Sequence, residues 1–388
     1  MPSNLPNPHL LFVSERYPPD MGGVSASAGR ISRALTSLGA DVDVITWTRN
    51  AQPGVVANEP GNPAIYRMGR FREWDATMPH TLNLIDWLAE RRAYDAVWGH
   101  YLAPAGFLAT WVARMDGIPS AVSIRGNDLD RDIFPPGDFA RLLWTLRTAD
   151  CVTAVTRQLA RKAQALVERD DVLCLPNAVD ASVFRPLATA CEELRTKTGI
   201  RPGEVVLGFA GELREKKGLP YLTEALRRVQ ANRPACLLII GEIRPSELSR
   251  VIERMGPGSL GDNRILVTGA LTNPEEVNAH LQLCDVYLQP SLWDGMPNAL
   301  LEAMAAGCGC IASDAGGIPE IITSGVDGIV LPRWQLHRLG EAILEWLDAD
   351  AAHRDTIRSA ARARVLSTYG FDDERRGLSA VLERLLAN

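Results

Sequence analysis

The chain has 388 residues, 46% of them hydrophobic, and a formal net charge of −6. That length allows two domains with full cores. The acidic balance gives no general case for nucleic-acid binding, and no stretch approaches the roughly 18 consecutive apolar residues of a membrane span.

The elements begin with an apolar strand at His9–Val13 and a loop holding Pro18, Pro19, Gly22 and Gly23. Ile31, Leu35 and Leu38 then keep helical spacing. Gly22 and Gly23 let backbone approach a ligand closely, although the loop does not spell G-x-G-x-x-G and an ordinary turn is the other reading. Strands are expected at 41–46, 64–69 and 96–100, with a helix near 82–92. Asp41 and Asp43 spell D-x-D, a metal-holding motif elsewhere, but here they flank a strand of alternating pattern and read as its exposed face. Arg67, Arg70, Arg72, Arg91 and Arg92 read as a solvated basic face.

A helix (104–115), a strand (120–124) and the loop 125–137 follow. His100 and this loop lie at the ends of successive strands, where ligands bind in open α/β sheets. His100 is a candidate catalytic group or a packed histidine, and Asp128 a catalytic carboxylate or a loop cap. Arg125, with Asn127 beside it, suits a phosphate or an acidic acceptor. The helix 138–147 carries Phe139, Leu142, Leu143 and Leu146 on one face, so it packs on a core or, with Trp144, Arg141 and Arg147, rests weakly on a membrane surface.

After strands at 151–156 and 172–176 the pattern restarts with a strand at 205–211, ending at Gly211, and the loop ELREKKG. Arg214, Lys216 and Lys217 gather where a helix begins, an arrangement that suits a diphosphate. Strands near 236–241 and 264–269 come next, the first followed by a helix over 247–255. The segment from Pro290 to Ile322 is strand–loop–helix twice over. Asp294 sits in its first loop, Gly295, Met296 and Pro297 lead into a helix over 298–306, and Asn298 is the expected N-cap, with Ala299 and Leu300 in the first turn. Glu302 lies one turn in among apolar neighbours. Three helices between 336 and 386 close the chain.

An acidic residue, seven intervening residues and then Glu (Asp294 and Glu302), followed by AMAAG and GGIPE, resembles the donor site of retaining glycosyltransferases of family 4. Lys217–Gly218 and the link bearing Asn177, Asp180 and Phe184 are similar to the same family. The resemblance implies the GT-B fold: two Rossmann-like domains facing each other across a cleft. An acceptor domain would cover 1–180, a donor domain 181–370, and a last helix (371–388) would pack back on the first domain. It also implies sugar transfer from a nucleoside-diphosphate sugar to a hydroxyl of a glycan, a lipid-linked or a small-molecule acceptor, with retention and with neither metal nor cofactor.

In that frame Lys217 and Arg214 would neutralise the diphosphate and Glu302 would hold the ribose. Asp294 and the backbone of 295–298 would hold the donor sugar, with the Gly22–Gly23 loop and Gly211 near the phosphates. Three positions depart from the family. Asp294 replaces the usual Glu, Arg125–Gly126 stands where many members have His–Gly, and Glu212 stands where Arg is frequent. Two other readings share the pattern: a nucleotide-sugar epimerase on the same fold, and a non-catalytic nucleotide-sugar binder. The scattered cysteines and the lack of a signal-peptide start lead to an expected cytoplasmic site of action, at most peripheral to the inner membrane face.

Overall fold

The computed structural model describes residues 7–130, 134, 136–187, 192–247, 249–250 and 264–387. The helix expected over 247–255 lies mostly outside them. The chain divides into two units, one of Met1–Asn177 with Asp372–Asn388 and one of Ala178–Phe371.

The first unit is built on β1 (His9–Ser14), β2 (Asp41–Thr48), β3 (Val56–Glu59), β4 (Ala64–Gly69), β5 (Ala96–His100), β6 (Ser120–Ile124), β7 (Cys151–Ala154) and β8 (Leu173–Cys174). They form one sheet in the order β3-β4-β2-β1-β5-β6-β7-β8, parallel except for the antiparallel edge pair β3–β4. β1 and β5 are buried at every position because helices cover both faces. One face packs Phe12, Val44 and Trp98 against Ile31 and Leu35 of helix Gly23–Ser37 and against Leu378, Val381, Leu382 and Leu385 of helix Phe371–Leu386. The other packs Val13, Ile45 and Val97 against helices Trp74–Ala89 and Phe107–Asp116.

The second unit holds β9 (Val205–Ala210), β10 (Ala235–Ile240), β11 (Ile265–Val267), β12 (Val286–Gln289), β13 (Cys310–Ser313) and β14 (Ile329–Leu331). Their order is β11-β10-β9-β12-β13-β14, all parallel. This is the doubly wound order, in which successive strands step outward from β9 and then restart beside it at β12. The change of direction at the carboxyl ends of β9 and β12 is where ligands bind in open α/β sheets. β1 and β5 make the same switch in the first unit.

Several expectations need correction. The helix placed at 82–92 begins at Trp74 and ends at Ala89, with Pro79 inside it. Edge-to-face packing of Trp74 on Trp47 and burial of Ile85 and Leu88 hold it despite the proline. A π-turn over Leu102–Gly106 precedes helix Phe107–Asp116, so that helix starts later than expected. Asp43 is not simply solvated: its carboxylate accepts from His9 Nε2 at 3.0 Å and from the Tyr94 hydroxyl at 2.9 Å. The amphipathic helix Pro136–Thr148 buries Leu142 and Leu146, and its Trp144 packs on Phe107 and Trp111. Among the described residues, no helix is long and apolar enough to cross a membrane.

Candidate functional site

In the second unit the switch point lies between the ends of β9 and β12, and two glycines let the loops meet there. Gly218 has φ +85°, and a Cβ on it would overlap the Pro290 carbonyl. Gly316 has φ +52°, and its Cβ would overlap the Asp294 carbonyl oxygen. Backbone bonds complete the contact: Leu292 N donates to Lys216 O at 2.8 Å and Gly317 N to Gly295 O at 2.7 Å. Three loops, after β9, β12 and β13, thus converge on one point.

The ammonium of Lys217 is paired there with the carboxylate of Asp294, at 21% and 13% side-chain exposure. A chain of neutral polar groups runs back from Asp294 into the core of β12. Ser291 Oγ reaches Asp294 at 3.3 Å, Gln289 Nε2 donates to Ser291 Oγ at 2.9 Å, and the Tyr287 hydroxyl donates to Gln289 Oε1 at 2.7 Å. Ser313 Oγ holds the Ser291 carbonyl at 2.6 Å. None of these four residues was singled out from the sequence. In an apolar strand, isolated neutral polar residues carry no periodic signal, and only a hydrogen-bond chain reveals them.

Helix Asn298–Ala305 starts at this point with no side-chain cap. Asn298 is not the N-cap; Pro297 occupies that position, and the Asn298 Oδ1 atom is buried without a partner. Met296 and Pro297 are buried in the loop with Gly295, while Ala299 and Glu302 are half-buried on the helix and Leu300 is core. Arg214 is not directed freely at the switch point. It pairs with Glu212, which also takes a 2.9 Å bond from Arg244 Nε. Burial pushes the Glu212 carboxyl up, but the bonds from Arg244 and Arg214 outweigh it and hold the group below its ordinary value. Arg244, in the loop after β10, was not foreseen. Gly211 follows β9 with φ +113° and open space where a Cβ would be.

In the first unit, Gly22 precedes helix Gly23–Ser37 with φ 117° and no side-chain cap. His100, at the end of β5, is fully buried, with Nε2 2.9 Å from Ser27 Oγ and Nδ1 without a partner. Burial first, and then the charges of Arg125 and Arg30, hold its pKa well below the imidazole value, so the ring is neutral. Asp128 caps its loop. Its carboxylate is buried and accepts backbone N–H bonds from Leu102, Arg125, Gly126 and Leu129. Those bonds are the geometry of a loop cap.

Arg125 reaches Asn177 Oδ1, which also accepts from Arg30 at 3.2 Å, and Arg30 forms a two-point pair with Glu374 at 2.7 and 2.9 Å. Burial, with Arg30 second, pushes the Arg125 guanidinium down to about 10. Arg125 and Arg30 thus stand near each other, with Glu374 and Asp128 as the carboxylates that act on Arg125. Asn127 opens the short helix Asn127–Asp130 beside them. Among the described residues, no group of three or more His, Cys, Asp or Glu side chains is arranged to hold a metal ion.

Residues 22–178 match the family model "Glycosyl transferase 4-like domain" and residues 204–349 match "Glycosyl transferases group 1". The N-acetyl-alpha-D-glucosaminyl L-malate synthase of Bacillus anthracis is 23% identical over 345 residues, 87% of each chain. Among the curated relatives compared, the matched share of the relative's length runs from 61% to 95%. Sucrose-phosphate synthase from Thermosynechococcus elongatus superposes with a TM-score of 0.82 at 18% identity, covering 98% of this chain and 99% of that one. Anabaena Alr3699/HepE, solved in complex with UDP and glucose, gives 0.79 at 18% identity, covering 97% and 100%. The converging loops at the second switch point, the paired Lys217 and Asp294, and two family matches that together take in well over half of the sequence lead to one conclusion: the chain belongs to the group 1, GT4-type glycosyltransferases and has the GT-B fold.

Proposed function

We propose that this glycosyltransferase moves a sugar from a nucleoside-diphosphate sugar to an acceptor hydroxyl, with retention and without a metal. The observation that carries the reading is Lys217 at the switch point, an ammonium held by Asp294 beside an uncapped helix start. A diphosphate entering there exchanges one anionic partner for another, and the helix N–H groups add to the positive potential. The bond from the anomeric carbon to the diphosphate oxygen breaks with its electron pair going to that oxygen. The acceptor oxygen bonds to the same face of the sugar, and its proton passes to the departing phosphate. Lys217 stabilises the charge that grows on the leaving group. Glu302 holds the ribose, and Asp294, once released from Lys217, takes a donor-sugar hydroxyl. Arg214 and Arg244 lend a second positive charge through Glu212.

UDP-sugars are the donors to test first, because Alr3699/HepE was solved with UDP and with UDP-glucose. The six described cysteines are all free, which supports a reducing, cytoplasmic setting.

Kinetics of two variants test the proposal. Ribose contacts are made equally in ground and transition state, so Glu302→Ala should chiefly weaken donor binding, by about 1.5–3 kcal/mol. Charge on the diphosphate grows only as the bond breaks, so Lys217→Ala should lower kcat by roughly 10²–10³. Activity should survive EDTA. Parent-like kinetics in both variants, or loss in EDTA restored by Mn²⁺, would remove the mechanism.

A further inference from the structure

At the carboxyl edge of the first sheet, where β2 and β4 end, lies a cavity of about 500 Å³ lined by Arg49, Pro53, Arg70, Phe71, Arg72 and Glu73. All of these residues belong to the first unit, whereas Lys217 belongs to the second. The ends of β2 and β4 are pinned to each other by Arg70 N, which donates to Thr48 O at 2.9 Å, so the arginines after both strands are held at one place. The Arg70 guanidinium lies over Trp74 at 5.0 Å, and Phe71, the aromatic residue of the lining, stacks on His80 at 4.6 Å.

Positive charge is in excess here. The lining sets Arg49, Arg70 and Arg72 against Glu73, and the Arg72–Glu73 pair is loose at 3.6 Å with both side chains exposed. Arg49 has no ion pair among the described residues. Neighbouring arginines on the same unit are paired: Arg67 with Glu59, Arg92 with Asp41 and Arg141 with Asp75. Burial, and after it the charges of Arg49 and Arg16, lower the Arg70 pKa, as expected where like charges are gathered. A solvated basic face would spread its charges; this one collects them around a concavity.

We propose that this cavity binds an anionic group, a phosphomonoester, on the acceptor. The pocket is one to two strands from the loop after β1, a distance of about 5–10 Å across the sheet edge. That span fits a single phosphorylated ring or polyol with its phosphate among the arginines, its apolar face on Phe71 and Pro53, and its hydroxyl toward the Gly22–Gly23 turn. Arginines suit the task because their planar forks bind phosphate at two points. The identification of the ligand as acceptor rests on the glycosyltransferase reading above, whereas the anion site itself stands on the cavity.

Calorimetry with glycerol 1-phosphate tests it, using the full chain carrying Lys217→Ala so that the donor site contributes little phosphate affinity. Glycerol 1-phosphate should bind and glycerol should not. Adding Arg49→Gln and Arg72→Gln, two exposed positions that carry no core packing, should weaken the phosphomonoester at least ten-fold. The same pair in the parent chain should leave UDP affinity unchanged. Co-sedimentation with vesicles containing phosphatidic acid separates the two sources of the group. Binding of glycerol 1-phosphate supports a soluble acceptor; retention on vesicles that is lost with Arg49→Gln and Arg72→Gln supports a lipid-borne one. Phosphomonoester binding untouched by that pair, or absent from every arm, overturns the proposal. Failure of the parent to bind UDP would instead count against the donor site and leave the cavity result standing.

Discussion

His100 shows how a single residue can be placed correctly and still have its role decided by burial. It stands at the switch point of the first sheet, where a catalytic group would be sought, yet it is fully enclosed, hydrogen-bonded to Ser27 and stacked at 5.7 Å on Phe12. Its folded pKa lies well below the unfolded value of 6.5. The unfolded chain therefore binds a proton that the folded chain refuses once pH drops below about 6.5. Stability from this group is complete above that pH and is lost as pH falls toward the depressed folded pKa, at about 1.4 kcal/mol per pH unit. Urea unfolding at pH 7.5 and 5.5 should show that loss in the parent, and His100→Asn should reduce the slope. An unchanged slope would mean the ring is protonated in place. The same scale separates what the sequence disclosed from what it hid. Charged residues in Gly- and Pro-containing loops, Lys217 and Asp294, were legible because few alternatives explain them. That the two pair with each other, that Arg214 is tied to Glu212 and that Asn298 is not a cap depend on side-chain directions that spacing does not fix.

At the scale of elements, apolar runs bounded by Gly and Pro marked most strands, because strands covered on both faces have nothing but apolar residues to present. The edge strand β3 escaped notice for the opposite reason. All four of its residues are exposed, so VANE carries no hydrophobic signal and is held by pairing to β4. Helix Phe371–Leu386 offers a sharper case. Its inward face carries Leu378, Val381, Leu382 and Leu385, and Glu374 adds the ion pair with Arg30 beside them. Leu378 is 0% exposed, so Leu378→Ala should cost about 2–5 kcal/mol through lost transfer energy and a cavity. Leu366, 45% exposed on helix Ala351–Thr368, should tolerate alanine within about 0.5 kcal/mol. Hydrogen exchange in β1 should accelerate in the first variant and not in the second. Equal behaviour would mean that the last helix adds nothing to the first unit's core.

At the scale of the whole molecule, the two units differ in how the chain supplies them. The second is continuous, from Ala178 to Phe371, and its ends are clipped together by the parallel bridge of Val179 with Gly370 and the 2.9 Å bond from Val179 N to Tyr369 O. The first is discontinuous and lacks part of its core until residues 372–387 have been made. Lys217, Asp294, Glu302, Arg214 and Arg244 all lie in the second unit, as does a core running from Leu207 to Ile357. A fragment of residues 178–371 should therefore melt cooperatively and bind UDP, if the proposed donor site is right. Lys217→Ala within that fragment should weaken the binding by about 1.5–3 kcal/mol, the scale of a hydrogen bond to a charged group. A fragment of residues 1–177 should fold poorly alone and gain structure when a peptide of residues 371–388 is added, since that peptide returns four core side chains to one face of the first sheet. Circular dichroism melting and calorimetry on the two fragments decide the matter. A folded 178–371 that ignores UDP would place the donor's contacts partly in the first unit, and an aggregating one would mean that the division between units is not a division in folding.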